Sequence, residues 1–109
     1  MAYDKELADR IQRELGARAG LGEKKMFGGV GFLLHGNMAC GVNRDNLVVR
    51  LDPLRSEEAL SRPHVQPFTM GGRTMAGWIV VTPQGCQKDQ DLKRWIQEGL
   101  DFAGSLPPK

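Results

Sequence analysis

The chain predicts an α+β domain: a two-layer sandwich in which an antiparallel sheet, a strand meander plus a hairpin, packs against helices. Three observations predict it. An amphipathic helical stripe opens the chain, short apolar segments separated by turn residues follow from Lys25 to Leu51, and a tryptophan-bearing helical stripe closes it. At 109 residues there is room for one domain over 1–109. A chain of this size buries roughly 65% of its unfolded surface, enough to fold without metal or disulfide.

The first helix is expected from Asp4 to Ala17. Tyr3, Leu7, Ile11 and Leu15 recur every four residues, Ala8 widens the stripe, and most other positions are charged. Asp4 can cap the first turn, and Gly16 and Gly20 mark the end. Lys25-Met26-Phe27 reads as a short strand, and Val30–Leu34 as a second, closed by the turn residues His35-Gly36-Asn37. Met38–Val42 returns antiparallel, Arg44-Asp45-Asn46 turns again, and Leu47–Leu51 is the next strand. Asp52-Pro53, an N-cap acid before a first-turn proline, starts a short helix ending near Leu60. Arg62–Pro67 reads as an extended loop, Phe68–Met70 as a strand, Gly71-Gly72 as a turn, and Thr74–Val81 as a long β-branched strand containing Trp78. A last helix runs from Asp89 to Ala103 with Leu92, Trp95, Ile96 and Leu100 inward. The tail 106–109 is expected to fray.

Composition narrows the function classes. The net charge is +2, from 15 Lys+Arg against 13 Asp+Glu, too weak to make an electrostatic case for nucleic acid. No apolar stretch is long enough to span a membrane, and the acidic opening Asp4-Lys5-Glu6 has no signal-peptide character. A cytoplasmic protein with Cys40 and Cys86 as reduced thiols is the expectation.

Chemical motifs are weak. Phe27-Gly28-Gly29-Val30-Gly31 leads into a strand rather than a helix and lacks the Gly-Lys-Ser/Thr ending of a phosphate loop. Gly29-Val30-Gly31-Phe32-Leu33 touches on an RNA-recognition strand motif, but Val30 stands where the first stacking aromatic belongs and His35 replaces the last. His35, Cys40, His64 and Cys86 match no zinc spacing. Ser56, Ser61 and Ser105 lie on a helix or tail, none in a nucleophile elbow, and nothing favours a Cys86–His64 pair. Lys24, Lys25, Arg44, Arg50, Arg55 and Arg73 read as dispersed charge balanced by nearby acids.

Lys24-Lys25-Met26-Phe27-Gly28-Gly29-Val30-Gly31-Phe32, running into Gly36-Asn37-Met38 and a strand ending Arg50-Leu51, resembles the N-terminal domain family of the competence regulator TfoX (also called Sxy). The resemblance covers nearly the whole chain, including the helix before the motif and the helix carrying Trp95. It implies a fold similar to the type III secretion chaperones, which often associate as dimers, and no known enzyme activity or cofactor. In the two-domain form the family switches on DNA-uptake genes beside the cyclic-AMP receptor protein, a role that belongs to a chain with a second domain.

The expected function is therefore a non-enzymatic regulatory or protein-interaction module. It binds a protein partner or itself as a homodimer and holds no catalytic residue, cofactor or metal. A small nucleic-acid-binding adaptor using the Lys/Arg set is the alternative. If His35-Gly36 and Asp45-Asn46 are two-residue turns, one sheet face collects Leu33, Met38, Cys40, Val42, Leu47, Val49 and Leu51. The other collects Val30, Phe32, Leu34, Ala39, Gly41, Val48 and Arg50, too apolar to face only water. Phe32, Val48 and Arg50 are thus the expected interaction surface; the alternatives are a register shifted by one, or the chain's own stretch from Pro63 to Phe68 covering this face.

Overall fold

The computed structural model describes residues 3–26 and 28–109, with every side chain among them except those of Met26 and Met70. Asp4 caps the first helix, its Oδ1 accepting from the amides of Glu6 at 2.9 Å and Leu7 at 3.2 Å. Helix α1 spans Lys5–Leu15, buries Leu7, Ala8, Ile11 and Leu15, and stops at Gly16, whose φ of +64° only glycine adopts freely.

Strands β1 (Leu21–Met26), β2 (Gly29–Leu34), β3 (Asn37–Asn43) and β4 (Asn46–Arg50) form the expected meander. β1 begins four residues before the expected Lys25, and the expected end, Phe27, lies outside the described residues. Helix α2 (Pro53–Ala59) starts where Asp52 accepts from the amide of Leu54 at 3.0 Å. The hairpin β5 (Val65–Met70) and β6 (Arg73–Val81) follows, and α3 (Asp89–Ser105) ends the fold. The sheet has six strands in the order β1-β2-β3-β4-β6-β5, all pairs antiparallel. This is an α+β fold.

Two sequence expectations are corrected by contacts the fold supplies. The stretch read as a loop up to Pro67 is strand from Val65, because β5 is an edge strand and an edge tolerates a residue without an N–H. The tail is not frayed. The buried Asn37 side chain donates its Nδ2–H to the Pro107 carbonyl at 2.9 Å, and the Lys109 amide donates to the His35 carbonyl at 2.9 Å.

The core lies between the sheet and α1 with α3, where Ile11, Leu47, Val49, Leu51, Ile79, Leu92 and Trp95 are among the buried residues. α3 approaches β3 closely at Gly99, where a Cβ would run into the Ala39 carbonyl. α2 is tied to β6 through Ser56, whose Oγ accepts from the Gly77 amide at 3.2 Å.

Candidate interaction surface

Register decides what the second face of the sheet presents. The first turn is as expected: Leu34 pairs with Asn37 across His35 and Gly36, both at positive φ, the two-residue turn that matches strand twist. The second turn falls on Arg44-Asp45 instead, with Asn43 opposite Asn46. That slip moves each partner by two residues, and an even slip leaves every side chain on its expected face.

A bulge between Phe32 and Leu33 has the opposite effect. Leu33 faces Met38, but Phe32 faces Cys40 and Val30 faces Val42. The one extra residue, Ala39, carries Phe32 and Val30 from the second face to the helix face. The expected placement of Phe32 is thereby corrected. It is 3% exposed and belongs to the main core. Val48 stays on the second face, opposite Val80, but is also 3% exposed, in a small apolar hollow with Met38, Phe68 and Trp78. Arg50 is half-buried opposite Trp78. Its guanidinium carbon lies 5.6 Å from the Trp78 ring centroid and 5.5 Å from that of Phe102, a double cation–π contact. Thus one of the three expected residues leaves the face, one is covered on it, and one is partly open between two rings. Trp78 and Phe68, with centroids 6.1 Å apart, cover this face themselves. The sequence leaves open that the stretch from Pro63 to Phe68 covers this face, and Phe68 does so; Trp78 is legible only as a residue of the last hairpin.

Several of the remaining charged groups are engaged within the fold, and others stand open. Arg10 donates to the Cys86 and Gln87 carbonyls and to Asp89, each at 3.0 Å, fastening α1 to the start of α3. Glu98 receives Arg62 at 3.0 Å and Arg55 at 3.6 Å, and Arg62 also stacks on Trp95 at 4.6 Å from its centroid. Arg44 and Arg73 sit at opposite ends of the β4–β6 ladder. Lys24 and Lys25 stand exposed on β1, the outermost strand.

The groups that could carry chemistry do structural work. Both cysteines are free and buried. Burial pushes the Cys40 thiol up to about 12. It raises Cys86 to about 11, where the nearby Arg10 guanidinium pulls down and Asp4 pushes up. Cys86 and His64 line different clefts. The hydroxyls of Ser56, Ser61 and Ser105 donate to the carbonyls of Pro53, Glu58 and Phe102. Among the described residues no three His, Cys, Asp or Glu side chains are grouped to hold a metal, and no helix is long and apolar enough to cross a membrane.

An antiparallel sheet with α1 and α3 packed against it, its serines and thiols engaged in the fold itself, defines a small α+β domain built around a sheet. The profile of the TfoX N-terminal domain matches residues 14–103, and the chain belongs to that family. At the family level this makes it a regulatory or competence-related domain. No curated protein and no solved structure matches it.

Proposed function

We propose that this domain is a cytoplasmic, cofactor-free protein-interaction module acting in regulation, with no catalytic step of its own. The observation that carries the reading is the use made of its reactive groups. Both thiols are held protonated by burial, and the hydroxyls of Ser56, Ser61 and Ser105 are tied to backbone carbonyls. Family membership supports the regulatory part. Unpaired, buried thiols suit a reducing compartment.

The competing reading, a nucleic-acid adaptor, calls for a basic surface with cations to spare. The net charge is only +2, Arg10, Arg55 and Arg62 are each paired with a carboxylate, and Arg50 is stacked between rings, which leaves exposed cations such as Lys24 and Lys25 for the test to weigh. Affinity capture from native lysate at moderate salt, with and without nuclease, tests both. The interaction module retains the same proteins after nuclease treatment. Partners lost with nuclease, together with duplex binding that falls steeply as salt rises, would reverse the assignment.

A further inference from the structure

The sheet has two edges, and only one of them has an interrupted backbone ladder. β5 carries Pro67, which has no N–H, and its ladder with β6 slips between Pro67 and Thr69. β1 has neither device. Its six residues pair with β2 in one unbroken register, from Leu21 opposite Leu34 to Met26 opposite Gly29. Glu23, Lys24 and Lys25 are exposed along it.

In an antiparallel ladder alternate residues turn both backbone polar groups toward the neighbouring strand, and the others turn them away. The His35 amide donates to the Gly20 carbonyl at 2.7 Å, which sets the phase. Gly22, Lys24 and Met26 therefore bond inward to β2, while Leu21, Glu23 and Lys25 offer their N–H and C=O groups at the open edge.

A second copy can satisfy those groups by adding its own β1 antiparallel, about a twofold axis normal to the sheet. Outward-turned residues must then meet outward-turned residues, which leaves few registers. Centring the axis on Glu23 sets Glu23 against Glu23, and centring it on Lys25 sets Lys25 against Lys25. Centring it on Gly22 brings no charges together at the hydrogen-bonded positions. Centring it on Lys24 places Glu23 of each copy opposite Lys25 of the other, two unlike pairs, against one Lys24–Lys24 contact on the opposite face. Glu23 already accepts from Gln12 at 3.0 Å through one carboxylate oxygen, leaving the other for the lysine.

We propose that two copies of this chain join edge to edge through β1, forming one continuous sheet whose register is set by reciprocal Glu23–Lys25 pairs. The inference rests on the reading of the domain as a protein-interaction module and names a second copy as the partner. The purified full chain should show concentration-dependent mass growth from one to two chains in analytical ultracentrifugation at low salt. Glu23→Lys and Lys25→Glu should each weaken association about tenfold or more, since each turns both pairs into like charges. An equimolar mixture of the two variants should associate again, because at both paired positions a lysine of one variant then faces a glutamate of the other. Glu23→Pro should abolish association with the circular dichroism spectrum unchanged, because that N–H points away from β2. A mass of one chain at every concentration overturns the proposal, and capture of proteins from lysate still tests the interaction module separately. Association indifferent to the variants, or reversals that the mixture does not rescue, overturns it as well.

Discussion

Trp95 shows how much one side chain can hold. Its indole is buried with Leu92 and Ile96 on the inner stripe of α3, and Arg62 lies over its ring while bonding Glu98 one turn further along the same helix. Replacing Trp95 by Ala should cost about 3–5 kcal/mol, read as a lowered midpoint in chemical denaturation. The two thiols give a second residue-scale test. A thiol whose folded pKa is raised holds its proton more tightly in the native state. Its contribution is complete below the ordinary value of 9.0 and is lost as pH climbs toward about 12 for Cys40 and about 11 for Cys86. Native protein should therefore be nearly inert to a thiol-specific reagent at neutral pH. Reaction should quicken as pH rises past the ordinary thiol value, and both thiols should titrate at once in denaturant. Rapid native labelling at neutral pH would mean that burial does not protect them.

At the scale of elements, the turns and caps were legible because their chemistry is local. Asp4, Asp52-Pro53 and His35-Gly36 each act within a few residues of themselves. The fate of the tail was not legible, because Asn37 and Pro107 lie 70 positions apart in sequence. Their hydrogen bond ties the β2–β3 turn to the chain beyond α3. Asn37→Ala should cost about 1–2 kcal/mol by leaving the Pro107 carbonyl short of its donor. Removing residues 107–109 should cost a similar amount, and the two together little more than either alone. Additive losses in thermal denaturation would show that the two changes act through separate contacts.

At the scale of the molecule, one inserted residue redistributes the apolar surface. The bulge at Ala39 turns Phe32 and Val30 toward the helices, so the helix layer gains a large aromatic. Phe32→Glu should then place a carboxylate in the main core and cost at least about 3–5 kcal/mol. A folded Phe32→Glu protein with a near-native thermal midpoint would put that ring back on the outer face. The same redistribution leaves the open surface of the sheet at its edge rather than in its middle. There β1 leaves one side of its backbone open and its charges exposed, whereas Val48, at the centre, is already covered in the hollow lined by Phe68 and Trp78.

The amino-acid sequence by itself determined the α+β class, the meander and its turn at His35-Gly36, the caps of α1 and α2, and the family. All of these follow from periodicity, short-range chemistry and a contiguous motif around Met26–Phe32. Only the tertiary structure decided which way Phe32 points, that β5 reaches back to Val65, that the tail is bound, and that β1 is the edge with an uninterrupted ladder. The physical reason is the period of two in a strand. A single bulge reverses every facing beyond it, and strand order and long-range ties depend on pairings between segments far apart in the chain.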